Sequence, residues 1–230
     1  MKLSKRLQAV ASFVASGSAV ADIGTDHGYI PVYLVKEGVA PRALAMDVRK
    51  GPLERAKEHV REYGLSDRIA LRLSDGLSGL KPGEADTVII AGMGGKLTIR
   101  ILEQGRHVWD SVKQFILSPQ SDIGETRRFL EQAGFCIDRE AMVEEDGKFY
   151  VVMDVSRGEM RLVRACYYEY GRDLIEKRDP ALFRYLDREK RIVSSILEGL
   201  SQAQTENVRK RQAALAERLA VIEEARYEMQ

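Results

Sequence analysis

The sequence predicts an α/β fold: a mostly parallel β-sheet with helices on both faces, followed by a small all-helical domain. Two observations lead to this prediction. From about residue 18 to residue 156, short apolar runs alternate with segments of helical periodicity, which is the pattern of a doubly wound sheet. Beyond residue 157 the chain is rich in Arg, Glu, Lys, Leu and Ala and shows no strand pattern. We therefore expect two domains, residues 1–157 and 158–230.

The elements of the first domain follow from these runs. Leu3, Leu7 and Val10 recur at helical spacing, so an amphipathic helix is predicted before the first strand. The predicted strands cover residues 19–23, 43–47, 69–73, 87–91 and 114–118, and the predicted helices cover residues 29–38, 51–63, 96–104 and 124–133. Two more strand-like runs, near residues 136–143 and 149–155, flank Asp146 and Gly147, a pair typical of a hairpin turn. The parallel sheet is thus expected to close with an antiparallel hairpin.

The second domain is predicted to be coiled-coil-like. Asp179 and Pro180 form a helix start, with the aspartate as N-cap and the proline at the first helical position. Apolar residues then fall seven apart in two sets, which are Leu186, Val193 and Leu200, and Val208, Leu215 and Ile222. The offset between the sets, around residues 199–207, favours two helices in an antiparallel hairpin; one long kinked helix is the alternative.

Composition excludes some classes of protein. The formal net charge is +1, which argues against a protein held to nucleic acid by bulk charge, although local basic patches remain open. Cys136 and Cys166 lack the spacing of a metal site, so we expect reduced thiols and no metal. The first 21 residues imitate a signal peptide, but cleavage there would remove the start of the first strand. No run approaches the ~20 apolar residues of a membrane span, so a cytoplasmic protein is expected.

The sharpest motif lies in the loop from Asp22 to Tyr29, directly after the first strand. Gly24 lets the backbone turn tightly and come close to a ligand at the carboxyl edge of the sheet. The spacing differs from the dinucleotide motif G-x-G-x-x-G, which argues against pyrophosphate binding. Instead, Asp22, Gly24 and Gly28 resemble motif I of class I methyltransferases, with Asp26 in place of a frequent middle glycine. The alternative is that both glycines are only turn residues.

Further carboxylates follow the second and third strands. Asp47 is placed to accept both ribose hydroxyls of an adenosyl group, and Asp75 to accept from its adenine amino group, where Gly76 permits close approach. Each aspartate alone could be a turn or cap residue, but their joint placement predicts a nucleoside site. The predicted cofactor-binding set is Asp22, Ile23, Gly24, Gly28, Asp47, Val48, Asp75, Gly76, Ala91 and Gly92.

A glycine-rich turn, Gly92-Met93-Gly94-Gly95, follows the fourth strand. Enzymes that methylate exocyclic amines often carry Asn/Asp-Pro-Pro-aromatic at this position, and that sequence is absent. Glycines with one flexible methionine suit an open, apolar floor for a flat base. Gly92, Met93 and Gly94 are therefore catalytic-site candidates, with a tight strand–helix turn as the alternative.

Taken together, five segments resemble the TrmK family of bacterial tRNA adenine-N1 methyltransferases: residues 22–31 (DIGTDHGYIP), 50–52 (KGP), 74–77 (SDGL), 91–95 (AGMGG) and 144–150 (EEDGKFY). The resemblance implies a Rossmann-like class I methyltransferase fold with a coiled-coil C-terminal domain. It also implies S-adenosylmethionine as cofactor, no metal, and methylation of N1 of adenine 22 of tRNA. Asp22, Gly24, Asp47, Asp75 and Gly76 match the family's cofactor positions, and Gly92 to Gly95 its active-site turn.

The chemistry itself needs few groups. The N1 lone pair of adenine is the nucleophile, so positioning is expected to supply most of the rate enhancement. A carboxylate near N6 could stabilise the charge that develops on the base. Asp26 is the candidate and His27 the alternative, while Tyr29 either stacks on a flipped base or packs into the core.

Basic clusters are the candidates for gripping tRNA, because phosphate contacts supply most of the affinity for RNA. They are Lys5, Arg6, Arg127, Arg128, Lys177, Arg178, Arg184, Arg188, Arg191, Arg209, Lys210 and Arg211. A coiled coil with solvated ion pairs, or a dimerising one, would look similar. We expect a monomer or weak homodimer. A methyltransferase for another RNA, a small molecule or a protein, and a catalytically silent RNA-binding scaffold, are the competing hypotheses.

Overall fold

The computed structural model describes residues 1–200 and 205–230. The chain divides into two compact units, Met1–Met160 and Arg161–Gln230, so the first unit runs three residues beyond the predicted boundary. The first unit contains a seven-stranded sheet with strand order β3-β2-β1-β4-β5-β7-β6. The strands are β1 (Val20–Ile23), β2 (Ala43–Asp47), β3 (Ile69–Leu73), β4 (Thr87–Ala91), β5 (Gln114–Ser118), β6 (Phe135–Glu145) and β7 (Lys148–Arg157).

Strands β1 to β5 pair in parallel, whereas β7 runs antiparallel to both β5 and β6. The predicted class I methyltransferase sheet, parallel with a closing antiparallel hairpin, is thus confirmed. Strand β1 is buried along its whole length because it lies between β2 and β4, and parallel sheets are covered on both faces. The hairpin strands are longer than predicted, since β6 and β7 pair from Phe135–Arg157 to Glu145–Lys148.

Helices cover both faces of this sheet and place their N-termini at its carboxyl edge. They are α1 (Lys5–Ser12), α2 (Tyr29–Lys36), α3 (Lys50–Glu62), α4 (Gly95–Gln104) and α5 (Ile123–Gln132). Helix α1 is capped by Ser4, whose Oγ accepts from the Leu7 amide at 3.3 Å. Val10 and Ala11 of this helix are buried, so the N-terminal segment belongs to the core. Among the residues described, no helix is long and apolar enough to cross a membrane.

The second unit contains only helices in its described part. Two short ones, α6 (Ala165–Tyr170) and α7 (Arg172–Glu176), precede α8 (Pro180–Leu200) and α9 (Glu206–Glu228). Asp179 caps α8 by accepting from the amides of Ala181 and Leu182 at 2.8 and 3.0 Å, as predicted. The pairs Lys190–Glu223 and Leu200–Gln212 show that α8 and α9 run antiparallel, which favours the hairpin over one long helix. Part of the predicted offset region, residues 201–204, lies outside the described residues.

Candidate functional site

A cavity of about 720 Å³ opens at the carboxyl edge of the parallel strands. This is where open α/β sheets bind ligands, because the strand order reverses there between β1 and β4. Most predicted cofactor residues line the cavity, namely Asp22, Ile23, Gly24, Asp47, Val48, Asp75, Gly76, Ala91 and Gly92. The sequence therefore identified the strand ends that form the cavity wall.

Gly24 is the point where two loops of the cavity meet. Its φ is +74°, and the amides of Gly24 and Thr25 both donate to the carbonyl of Met46, at 2.8 and 2.9 Å. A Cβ on Gly24 would lie 1.9 Å from Cε of Met93. Any side chain at this position would displace Met93, so glycine is required both for the turn and for the close approach.

Gly28 does not line the cavity and has a different role. Its φ is +66°, and a Cβ would come within 3.2 Å of Cβ of Ala56 in α3. The glycine thus permits the packing of α2 against α3. Gly28 is therefore required for helix packing, and its predicted role in cofactor binding stays a prediction.

Asp22 and Asp47 are buried side by side at the ends of adjacent strands, each only 6% exposed. Burial raises the pKa of Asp22 to about 6; the Thr25 side chain opposes the rise, and the negative charge of Asp47 adds to it. Asp47 Oδ1 accepts from the Arg49 amide at 2.7 Å, and the Arg49 guanidinium lies 3.7 Å away. This wall suits a cationic or hydroxyl-rich ligand, which would donate hydrogen bonds to the two neighbouring buried carboxylates.

Asp75 is more exposed than these two. Its carboxylate lies 3.7 Å from the guanidinium of Arg100. The next residue, Gly76, has a φ of +56°, and a Cβ there would lie 3.0 Å from Ile101 of α4. Gly76 therefore brings the backbone close to α4, and Asp75 stands at the mouth beside a cation.

The glycine-rich turn after β4 packs on the turn after β5. The Gln120 amide donates to the Met93 carbonyl at 2.8 Å, and the Gly95 amide donates to the Ser121 carbonyl at 2.9 Å. A Cβ on Gly95 would lie 2.5 Å from that carbonyl oxygen. The turn requires glycine for packing, and Gly92 and Met93 also line the cavity. The turn therefore packs tightly, and its use as a floor for a base stays a prediction.

Exposed polar groups surround the mouth of the cavity. Asp26 Oδ1 lies 3.5 Å from the Arg55 guanidinium and 3.6 Å from His27 Nε2. Arg55 Nε donates to that same His27 nitrogen at 3.2 Å, which requires the nitrogen to be unprotonated. Asp26 and Tyr29 line the cavity, whereas the His27 ring stacks on Tyr29, with centroids 5.4 Å apart. Of the two candidates, Asp26 lines the cavity and His27 does not.

Arg127 requires a correction, because it cannot bind RNA as predicted. Its side chain is fully buried and pairs with buried Glu140, the Arg127 Nη2 lying 2.7 Å from Oε1. Arg127 lies on the face of α5 that also buries Gly124 and Leu130. The neighbouring Arg128 is exposed.

The other basic candidates lie nearer the surface. Arg6 lines the cavity, and its guanidinium lies over the Tyr150 ring at 5.3 Å. The exposed ones are Lys5, Lys177, Arg178, Arg184, Arg191, Arg209, Lys210 and Arg211. Arg188 is half-buried, its guanidinium 5.8 Å from the Tyr185 ring centroid. Ion pairs do join α8 to α9, including Glu189–Arg218 and Asp187–Arg226, as the coiled-coil alternative proposed.

Nine cavity residues were not among the predicted site residues: Leu7, Ile30, Arg49, Arg55, Ser74, Leu97, Arg100, Ile101 and Gln120. Arg55, Leu97 and Arg100 lie on helices that follow binding loops, and only tertiary packing turns them toward the cavity. Gln120 carried a weak signal, since a polar residue follows the end of β5 at the same edge as Asp22 and Asp47.

Neither cysteine forms a disulfide. Cys166 is buried, and burial raises its pKa to about 12, which disfavours the nucleophilic thiolate form. In residues 1–200 and 205–230, no cluster of three His, Cys, Asp or Glu side chains could hold a metal ion.

Comparison with known proteins agrees with the geometry. Residues 3–153 match the family profile described as "Methyltransferase domain". The chain is 35% identical to the tRNA (adenine(22)-N(1))-methyltransferase of Bacillus subtilis, over 97% of each chain. The crystal structure of the B. subtilis M1A22 tRNA methyltransferase TrmK superposes with a TM-score of 0.87 at 35% identity, covering 97% of this chain and 98% of that one.

A Streptococcus pneumoniae protein crystallised in complex with S-adenosyl-L-methionine is similar throughout. It is 33% identical, with a TM-score of 0.88, and the match covers 97% of this chain and 99% of that one. These matches extend over both units, whereas the methyltransferase profile covers only the first. The chain therefore belongs to the TrmK family of tRNA (adenine(22)-N1)-methyltransferases.

Proposed function

We propose that this chain transfers a methyl group from S-adenosylmethionine to N1 of adenine 22 of tRNA. The full-length match to the B. subtilis enzyme carries the proposal. The cavity supports it, because its wall of buried carboxylates lies directly beside a glycine-rich floor. We further infer that the chain acts in the cytoplasm, as a monomer or weak homodimer. The reaction needs no metal, since the N1 lone pair attacks without prior activation.

The residues of the inner wall fit the cofactor. Asp47 would hold the ribose hydroxyls, because a buried carboxylate gains most from accepting two hydrogen bonds. Asp22 would face the ammonium group of the methionine end, which would compensate its buried charge. Asp75 would accept from the adenine amino group, and Gly24 lets the Met93 side chain of the floor lie against the loop that follows β1. When bound there, S-adenosylmethionine supplies an electrophilic methyl group on a sulfonium.

The chain's own contribution to catalysis is positioning. Gly92 and Met93 form the floor against which the adenine would lie with N1 toward the methyl group. Asp26 would accept a hydrogen bond from N6 and so stabilise the positive charge that forms on the base. Its pairing with Arg55 holds the carboxylate at the mouth.

The exposed basic residues would bind the tRNA backbone. Arg6 and Tyr29 lie at the cavity and would contact the nucleotides next to the target. Arg184, Arg191, Arg209, Lys210 and Arg211 are exposed on the second unit and would contact phosphates. Lys5, Arg128 and Arg188 complete this proposed set.

The test is transfer of a labelled methyl group from S-adenosylmethionine to unmodified tRNA transcripts, with the site mapped by arrest of reverse transcriptase. We expect arrest at adenine 22 and no label in a matched transcript that carries guanine there. Label elsewhere in the tRNA would contradict the target, and absence of label despite cofactor binding would contradict an RNA substrate.

A further inference from the structure

Gln120 is the one carboxamide side chain among the residues that line the cavity within the described chain. It follows β5 in the turn that leads to α5, and it is exposed to the cavity side. Within residues 1–200 and 205–230, its side chain makes no hydrogen bond, whereas Asp26, Asp47 and Asp75 are all paired with arginines. Gln120 therefore offers a free donor and a free acceptor to a ligand.

The backbone of Gln120 lies beside the floor of the site. The backbone N–H of Gln120 donates to the Met93 carbonyl at 2.8 Å, and the backbone N–H of Gly92 donates to the Ser118 carbonyl at 3.1 Å. These two bonds fix the turn after β5 against the turn after β4. Nε2 of Gln120 lies 3.8 Å from where a Cβ on Gly92 would stand. The turn that carries the carboxamide is thus fixed beside the floor where the target base would lie.

The chemistry of N1 methylation limits how an adenine can be recognised. N1 must keep its lone pair free for the attack, so the enzyme cannot read the base through a hydrogen bond to N1. The Hoogsteen edge remains available, with a donor at N6 and an acceptor at N7. Glutamine and asparagine match this edge with two hydrogen bonds, and they do not match guanine, which presents two acceptors there.

We propose that Gln120 selects adenine by its Hoogsteen edge, with Oε1 accepting from N6 and Nε2 donating to N7. The proposal rests on the proposed function and adds to it the residue that distinguishes adenine from guanine. Asp26 stays compatible with it, because N6 carries two hydrogens and Gln120 uses only one.

The test changes the proposed contact from both sides, at N7 of the adenine and at the side chain of Gln120. tRNA transcripts carry adenosine or 7-deazaadenosine at position 22, and kcat/KM is measured for the wild type, Gln120→Ala and Gln120→Glu. Gln132→Ala is the matched control, because Gln132 is an exposed glutamine at the end of α5, outside the cavity lining. Melting temperatures of all variants show whether the fold is kept.

On the adenosine substrate, Gln120→Ala should lose roughly ten- to a hundred-fold in kcat/KM, the worth of a bidentate base contact. The wild type should prefer adenosine over 7-deazaadenosine by a larger ratio than Gln120→Ala does. Comparing the preference of the wild type with that of the variant cancels the effect of the N7 replacement on the reactivity of N1, because this effect is the same for both enzymes. Gln120→Glu should reverse the preference, because its carboxylate repels the N7 lone pair but not a C7–H group.

A purely structural role for Gln120 would lower kcat/KM equally on both substrates, and that result would overturn the proposal. An unchanged preference in Gln120→Glu would overturn it as well, provided that the variant melts like the wild type. Failure of the proposed function is distinguishable, since the wild type would then leave even the adenosine transcript unmethylated at position 22.

Discussion

The inner wall of the cavity and its mouth differ in how far their carboxylates are exposed to solvent. Asp22 and Asp47, on the inner wall, are 6% exposed, whereas the side chains of Asp26 and Asp75 at the mouth are 74% and 55% exposed. The wall is made of strand ends inside a rigid sheet. The mouth is made of loops and helix N-termini. A buried wall of fixed geometry suits a small cofactor whose structure is always the same. A solvent-exposed mouth suits a large RNA partner.

The difference also has an energetic consequence. Buried carboxylates destabilise the ligand-free chain, and a ligand that compensates them recovers this free energy as affinity. Exposed carboxylates paired with arginine contribute little to stability because water screens them. Substitutions on the wall should therefore alter cofactor affinity and stability, and substitution of Asp26 at the mouth should alter turnover on tRNA. Asp75 differs from Asp26, because it is proposed to accept from the adenine of the cofactor.

The largest effect is expected for Asp47→Ala. Loss of two hydrogen bonds to a charged group should weaken binding of S-adenosylhomocysteine by roughly a hundred-fold. Isothermal titration calorimetry measures the dissociation constant, and Asp67→Ala is the control because Asp67 is exposed and outside the cavity. Equal affinity in the wild type and Asp47→Ala would remove Asp47 from the cofactor site.

A smaller effect, on stability, is expected for Asp22→Asn. The pKa of Asp22 is about 6 in the folded chain against 3.8 in the unfolded chain, so the unfolded chain loses its proton first as the pH rises. The wild type should thus lose stability from about pH 4 to pH 6, and the asparagine variant should not. The free energy of unfolding of Asp22→Asn, relative to that of the wild type, should rise by about 1 to 1.5 kcal/mol between pH 5 and pH 8.

Urea unfolding without cofactor measures this difference. The single tryptophan, Trp109, lies in the first unit and reports its unfolding by fluorescence. A difference in free energy of unfolding between Asp22→Asn and the wild type that stays constant across this pH range would show that Asp22 has an ordinary pKa. Water would then reach the Asp22 carboxylate more than its burial indicates.

The smallest effect is expected at the mouth, for Asp26→Ala. Because the Asp26 carboxylate is exposed, its loss should lower kcat on tRNA by about ten-fold and leave cofactor affinity within two-fold. Single-turnover methylation with saturating tRNA gives the rate. If turnover is unchanged while tRNA is bound, Asp26 has no part in the reaction.

The same division explains what the sequence could predict. Asp22 and Asp47 were predictable because parallel strands bring their carboxyl ends together at one edge. Gln120 carried only a weak signal in the sequence, since its place depends on how the turn after β5 packs on the turn after β4. Arg127 misled because two adjacent arginines look alike in sequence, although only one of them lies on the buried face of α5.

The second unit shows a similar limit. The seven-residue spacing and the Asp179 cap predicted helices α8 and α9. Helices α6 and α7 have only six and five residues, which is too short for a periodicity to be read. Their formation depends on packing, as Cys166 and Leu174 are fully buried.

The most direct test of the division between cofactor binding and base recognition is S-adenosylhomocysteine binding to Asp47→Ala and Gln120→Ala side by side. If the wall binds the cofactor and Gln120, beside the floor, recognises the base, Asp47→Ala should lose about two orders of magnitude in affinity, while Gln120→Ala keeps that of the wild type. A comparable loss in both variants would contradict this division and show that the two regions form a single binding surface.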